Sequence, residues 1–389
     1  MTSRKTAVVV LPLPPIQTLF PANTPAALLW FWIKYWLWFF TLLPWMLLRQ
    51  CAISVHQLLG ALWTWNREVE LLHGSLRLIF MNNLASLSLI TIFGERFTAI
   101  HYGDLLIDPG PPFARRRLGR YLRRARSHIA AIAATHAHEE HIGNVAFAAA
   151  VVGTPVWGTA VTLDAMRRPE QLSLPRRVFI GQPEPVRATD VRRFDSMLRT
   201  GVVTLEVIPS PGHCDGHASL FDRRRGILFA GDSFLHTVFT APNRDVSGAE
   251  WIRTLEAYCE LDVRTMIGTH GYVYSVDPDL QQHWFVTRRA DPREMIRDKL
   301  GFMKWAQSVV SDGERRGLPY SVIEACLFPW QRWWAWHTWF TDESGRLFSA
   351  GEFSRTYFVR SLSRTPDRVP ARFPPFARFA HWLSTHLIH

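Results

Sequence analysis

Two patterns of apolarity divide this chain. Hydrophobic residues run almost unbroken from Ala26 to Leu48, through Leu28-Leu29-Trp30-Phe31-Trp32-Ile33 and on past Lys34. A run of this kind predicts a helix, and about 20 mostly apolar residues suffice to cross a bilayer. Lys34 interrupts it, however, and tryptophans such as Trp30, Trp32, Trp36, Trp38 and Trp45 favour the headgroup layer over the hydrocarbon centre. These indoles project all round the helix, so no polar face marks a helix lying in the membrane plane. Spanning a membrane, lying on one and packing against the rest of the protein are three readings of the same stretch. It starts too late and is too long for a cleaved signal peptide.

From about residue 69 the apolar runs shorten and alternate with turn residues. Strands are predicted at 71–80, 86–93, 96–107, 129–134, 202–208, 218–221, 226–230 and 264–267. Helices are predicted at 115–126, after Gly143, and at 249–261. Residues 165–200 are rich in proline and arginine and show little periodicity. Beyond residue 275 the pattern is helical again, at 293–310, 321–328, 330–340 and 352–361, before a Pro/Arg/Phe-rich tail. The expected organisation is an apolar, membrane-associating segment over 1–68, a catalytic domain over 69–275 and a helical extension over 276–389. No internal repeat of solenoid length is visible.

Charge adds one constraint. The formal net charge is +11, carried almost wholly by arginine, since the lysines are only Lys5, Lys34, Lys299 and Lys304. Such a balance favours anionic partners: nucleic acid, phosphorylated substrates or an anionic membrane face. Seven arginines between Arg115 and Arg126 read first as a solvated helix face, and otherwise as a contact for anionic lipid or phosphate. With Arg49 and Arg67 following the apolar run, they favour a catalytic domain on the cytoplasmic side. No nucleic-acid-binding module is recognisable. Four unpaired cysteines, Cys51, Cys214, Cys259 and Cys326, read as free thiols in a reducing compartment. The 17 tryptophans are unusual, and those of 330–340 read as core, with a pocket wall or membrane patch as the alternative.

The chemistry is concentrated where predicted strands end. The strand at 129–134 runs into Thr135-His136-Ala137-His138-Glu139-Glu140-His141. Imidazoles at i and i+2 of a near-extended chain point the same way, so His136 and His138 can reach one ion. Glu140 and His141 follow as the chain turns into a helix and aim at a different point. Upstream lies Asp104-Leu105-Leu106-Ile107-Asp108-Pro109-Gly110. Downstream come Pro209-Ser210-Pro211-Gly212-His213-Cys214-Asp215-Gly216-His217, then Leu228-Phe229-Ala230-Gly231-Asp232-Ser233, then Met266-Ile267-Gly268-Thr269-His270-Gly271. In each, an apolar strand ends in His or Asp beside Gly, Pro or Ser.

In this order the five motifs resemble the signature of the metallo-β-lactamase superfamily of metal-dependent hydrolases, over roughly residues 70–275. The resemblance implies a four-layer αββα sandwich of the α/β class, here with an apolar N-terminal helical segment and a C-terminal helical extension. It implies His136, His138 and His213 as ligands of one ion, Glu140, His141 and His270 as ligands of a second, and Asp232 as a bridge between them. Zinc accepts such nitrogen and oxygen donors and leaves a position open for water in catalytic sites; iron and manganese suit the same donors. Asp108 resembles an acid that orients a ligating histidine rather than a ligand. Glu140 stands where the family usually has Asp, one methylene shorter, which makes the second site the variable one. Glu139 reads as an exposed acid at a helix N-terminus, Cys214 as a small buried thiol, and His217 as a non-ligand. His337, His381, His386 and His389 have no matching partners.

The function implied is a metal-dependent hydrolase with two zinc ions, in which a metal-bridging hydroxide attacks an ester, thioester, lactone or related carbonyl of a small-molecule substrate, with Glu140 or Asp232 relaying a proton. The arginine excess motivates an alternative phosphodiesterase or nuclease. A non-hydrolytic, iron-dependent oxidoreductase on the same scaffold is the reading from another class. Sequence leaves the substrate and the oligomeric state open.

Overall fold

The structure, a computed structural model, describes residues 13–364 and Pro366, apart from 95, 188–190, 239, 241–242, 284–285, 329–332 and 350. The tail with His381, His386 and His389 lies outside the described residues, as do residues 1–12 and the start of the 330–340 tryptophan segment.

After a single 3-10 turn at Ile16–Thr18 comes a long helix, α1 (Pro25–Trp63). Proline at its first position has the φ a helix needs and no N–H to leave unpaired, and the Thr24 hydroxyl accepts the N–H of Ala27. The chain then builds a seven-stranded sheet in sequence order, from β1 (Glu68–Leu71), β2 (Leu76–Phe80), β3 (Thr98–Tyr102), β4 (Leu105–Ile107), β5 (Ala131–Ala133), β6 (Val156–Gly158) and β7 (Val191–Arg193). Between these strands lie α2 (Leu84–Phe93), α3 (Arg115–Ala125), α4 (Glu139–Ile142), α5 (Val145–Val152), α6 (Ala160–Arg167) and α7 (Leu174–Phe179). A second seven-stranded sheet follows, from β8 (Met197–Arg199), β9 (Thr204–Pro209), β10 (Ala218–Asp222), β11 (Ile227–Gly231), β12 (Thr265–Gly268), β13 (Val273–Ser275) and β14 (Thr287–Arg289). Helix α8 (Gly248–Cys259) connects β11 to β12, and α9 (Pro292–Arg315), α10 (Tyr320–Leu327), α11 (Trp333–Phe348) and α12 (Arg355–Leu362) close the chain.

Three apolar layers hold these elements together. Leu78, Phe80, Ile100 and Ile107 of the first sheet meet Leu205, Leu220, Phe229 and Ile267 of the second. Leu118, Leu122 and Val145 seat α3 and α5 on the outer face of the first sheet. On the outer face of the second, Trp251, Leu255, Phe302, Ile323 and Phe358 bring down α8, α9, α10 and α12. The result is the four-layer αββα sandwich. Strands buried on both faces read as continuous apolar runs, and every residue of β10 and β11 is buried.

Strands β4, β5, β6 and β7 are mutually parallel, as are β11 and β12. Their carboxyl ends deliver Asp108, the histidine loop, Asp232 and His270 to one rim, where open α/β sheets place their ligands.

Several elements differ from the sequence reading. The predicted strand at 86–93 is the helix α2, because Asn83 and Ser86 form a reciprocal capping box that commits the chain to a helix. The single strand at 71–80 is broken into β1 and β2 by a tight turn at Leu72–Gly74. The aperiodic 165–200 segment holds α7, β7 and β8. In α11, Trp336 is buried and stacks on Trp339, packed against Tyr35, Phe39 and Met46 of α1, so these tryptophans are core.

Candidate metal centre

Asp108 leaves β4 in the left-handed region at φ 46° and is fully buried. Its Oδ1 accepts the N–H of Thr135 at 2.8 Å and its Oδ2 the Thr135 hydroxyl at 2.7 Å, which ties the end of β4 to the end of β5. Oδ2 also lies 3.6 Å from Nδ1 of His141. Burial raises the Asp108 carboxyl above its usual range, against the opposing pull of His141 and the Thr135 hydrogen bonds.

Donor atoms of His136, His138, His213 and Cys214 all lie within 4.8 Å of one another, and those of Glu140, His141, Asp232 and His270 form a second group of the same size. Asp232 sits between the groups. Its Oδ2 is 3.2 Å from Nε2 of His270, 3.4 Å from Nε2 of His141, 3.6 Å from Nε2 of His213 and 3.9 Å from Nε2 of His136. His213 Nε2 lies 3.0 Å from Nδ1 of His138. The structure thus brings all seven sequence-derived ligand candidates to one place, with Asp108 one residue layer behind.

Two glycines shape the loops that carry them. Gly212, at φ 133°, precedes His213, and a Cβ there would fall 2.4 Å from the backbone of Trp251. Gly231, at φ 55°, precedes Asp232, and a Cβ there would meet the His217 ring at 2.4 Å. Neither close approach admits a side chain.

The donor set fits a pair of cations. Nδ1 of His270 faces the carbonyl of Arg96 at 3.0 Å and must donate to it, since a carbonyl only accepts. Nε2 of His270 then faces Asp232 Oδ2 at 3.2 Å, a contact that needs a cation or a proton between the two atoms. Nε2 of His136 and both ring nitrogens of His141 are buried without a hydrogen-bond partner, a costly state unless something else takes them up. Burial, reinforced by the neighbouring imidazoles, holds His136 well below its ordinary value; burial does the same for His213. Both are neutral and keep a lone pair to give. Burial would raise Asp232, but His270 and His141 outweigh it and hold the carboxylate well below its usual range. Glu140 is lowered too: burial opposes ionisation, and His138 and His141 overrule it.

Two neighbours carry roles that sequence reading passed over, and a third is as expected. His217 is buried, with Nε2 accepting the backbone N–H of Asp232 at 3.1 Å. Its proton is therefore on Nδ1, which faces the hydroxyls of Ser210 at 2.8 Å and Ser233 at 3.2 Å. Its ring stacks on His136, so His217 steadies a bridging and a terminal ligand candidate at once. Glu139 is not an exposed acid but a buried one, gripped by Arg176 of α7 through both carboxylate oxygens; one turn of helix points it away from solvent. Cys214 is buried, as read from sequence, and burial pushes the thiol it brings to the first group well above the ordinary value. The signal for His217 was present, in its Ser210 and Ser233 neighbours, but only folding brings the two serines together.

A cleft of about 240 Å³ reaches one member of each group, His138 of the first and Glu140 of the second, and is lined further by Arg176, Asn243, Arg244 and Glu352 among others. The arginines of α3 do not face it. Arg117 and Arg124 pair with Glu68, and Arg115 with Glu184 while lying over Phe147.

Residues 103–270 match the family described as the Metallo-beta-lactamase superfamily. No curated protein matches the chain. Among solved structures it is similar to a metallo-beta-lactamase with a HARLDQ motif from Cronobacter sakazakii (Enterobacter sakazakii), at 16% identity over 62% of this chain and 96% of that one, with a TM-score of 0.44. It is similar to MEM-A1, a subclass B3 metallo-beta-lactamase isolated from a soil metagenome library, at 16% identity over 62% and 94% of the two chains, TM-score 0.42. A protein solved in a di-iron-bound form matches at 24% identity over 48% and 88%, TM-score 0.37. The matched segment contains every one of the seven ligand candidates and lies within two seven-stranded sheets between helical layers, which gives this chain the metallo-β-lactamase superfamily fold.

Proposed function

We propose that this protein is a hydrolase with two zinc ions, acting on an ester, thioester, lactone or related carbonyl of a small-molecule substrate. The observation that carries the reading is Asp232 Oδ2, set within 3.9 Å of the ring nitrogens of four histidines drawn from three separate strand ends and α4. His136, His138 and His213 would hold one ion, Glu140, His141 and His270 the second, with Asp232 shared. Bound there, such ions lower the pKa of water toward about 7 and polarise a carbonyl oxygen.

The remaining work falls to the chain itself. Asp108, through Thr135 and His141, fixes the direction from which the histidine loop approaches. His217 holds the backbone of Asp232. Glu140, partly exposed on the wall of the cleft, is placed to carry a proton to a leaving group, with Asp232 as the alternative carrier. Arg115, Arg117 and Arg124 of α3 pair with acids of their own surface and lie away from the cleft, which supports the carbonyl reading over the alternative phosphodiesterase. The domain division proposed from sequence, with catalysis over 69–275, and a cytoplasmic catalytic face complete the reading.

Elemental analysis of protein purified without added metal, run beside a panel of ester, lactone and phosphodiester substrates, tests it. Two equivalents of zinc, carbonyl-ester turnover and its loss in folded His138→Ala are expected. Wild-type protein that binds no metal ends the proposal; iron or manganese in place of zinc corrects the ion, and turnover of phosphodiesters alone corrects the substrate.

A further inference from the structure

We propose that α1 lies flat on an anionic lipid bilayer and does not cross it. The helix has two apolar sides with different fates. Leu29, Ile33, Trp36 and Phe40 follow one another at steps of three and four residues and share one side, which Val55 and Leu59 widen farther along, and each is 46–67% exposed. The other side is docked. Tyr35, Phe39 and Met46 pack on Trp336 and Trp339 of α11, and Gln57 reaches Gly94 at the end of α2. Leu28 joins the core outside the second sheet, while the Asn23 amide just ahead of the helix donates to the carbonyls of Arg316 and Gly317 at 3.0 and 3.1 Å. Start, middle and end are all fastened to the globular body. Standing upright across a membrane would require peeling the helix off that body and exposing the docked side.

The charge of this region selects the occupant. No Asp or Glu occurs before Glu68, while Arg4, Lys5, Lys34, Arg49 and Arg67 are all cations. A second copy of the chain would set cations against cations with no carboxylate between them. An anionic lipid surface meets the exposed Lys34 and Arg67 with opposite charge, and it accepts a strip roughly 58 Å long at about 1.5 Å per residue. Exposed indoles at Trp30, Trp38 and Trp45 suit the headgroup layer. The lipid-facing surface continues past α1. Helix α2 has no charged residue and touches both α1 and α7; Leu84 is 83% exposed, and α7 exposes Leu174 and Val178 beside Arg177. Because α7 also supplies Arg176 to the cleft, the mouth of the metal centre adjoins the lipid. The inference stands on this surface and not on the hydrolase reading.

Flotation of the full chain with sealed vesicles of phosphatidylcholine plus phosphatidylglycerol, and of phosphatidylcholine alone, tests it. Binding to the anionic vesicles is expected, weakening by about fivefold for each cation removed by Lys34→Gln or Arg67→Gln. The Ile33→Gln, Phe40→Gln double variant should stop floating while keeping its circular dichroism spectrum and metal content. Topology is read in a Cys51→Ser, Cys259→Ser background, which removes the two thiols that are not buried, from Ala22→Cys and Glu70→Cys, which flank the helix, with a membrane-impermeant maleimide. In right-side-out and inverted membrane vesicles of the expression host, both sites should label in one preparation and be protected in the other. Labelling of one site in each preparation would mean a spanning helix and overturn the proposal. So would a dimer in solution that ignores the vesicles.

Discussion

Arg176 and Glu139 join the edge of the metal cleft to the helix that overhangs it: Arg176 Nε meets Oε1 at 2.7 Å and its terminal nitrogen meets Oε2 at 2.5 Å. Burial and the adjacent Glu140 raise the Glu139 carboxyl, and Arg176 is what opposes them. Breaking a buried pair from one side leaves a charge with no partner, at a cost of about 3–5 kcal/mol. Arg176→Ala should therefore destabilise the protein by an amount in that range in urea unfolding. Adding Glu139→Gln should recover part of the loss. Equal stability of the single and double variants would show that the pair is solvent-screened and unimportant.

Glu140 tests the second group. Its carboxylate lies within 4.8 Å of the donor atoms of His141, Asp232 and His270 despite the longer side chain. Glu140→Gln keeps the volume and removes the charge. Bound metal should fall from two equivalents toward one, and kcat by about 10²–10⁴ if the carboxylate also moves a proton. Unchanged stoichiometry with full activity would remove Glu140 from both roles.

Much of this centre can be read from sequence because strand ends announce themselves. Ile107-Asp108-Pro109-Gly110 and Ala230-Gly231-Asp232-Ser233 each show an apolar run stopped by residues that turn the chain. What could not be read depends on contacts far apart in sequence. Glu139 looks like any acid at a helix start until Arg176, thirty-seven positions on, folds over it. Residues 86–89 alternate Ser and Leu and 90–93 are β-branched and aromatic, as a strand would have them, and the small Asn83–Ser86 cap decides against it. The apolar run at 26–48 shows no polar face because both its sides are apolar; only docking on α11 distinguishes them.

His217 is a positioning residue with no donor atom of its own to offer a metal, because Nε2 is taken by the N–H of Asp232 and Nδ1 by serine hydroxyls. His217→Ala leaves that N–H and the buried Ser210–Ser219 pair short of a partner, at about 1–3 kcal/mol for each group left unsatisfied. Metal affinity should weaken by about 10–100-fold, the range seen when outer partners of ligands are lost, with the number of sites unchanged. Competition with a fluorescent chelator measures the affinity directly. Loss of a whole metal equivalent would instead make His217 a ligand.

Asp342 gives a stability signature that owes nothing to the metal. It is buried in α11, and burial pushes its carboxyl up to about 8, with Glu343 and Glu324 adding to the rise and Arg355 opposing it. The folded value lies above the unfolded one, so the native state holds a proton that the unfolded chain releases from about pH 4 upward. Stability from this group is complete at acid pH and falls as pH rises to about 8, by up to about 1.4 kcal/mol per pH unit. Above about pH 8 both states are ionised and the fall stops. Asp342→Asn has no proton to lose. Its stability relative to wild type should therefore climb between about pH 5 and pH 8 and then level off, as read from urea midpoints across that range. A difference that stays flat would mean that Asp342 is already ionised in the folded protein, with Arg355 as its partner outweighing burial.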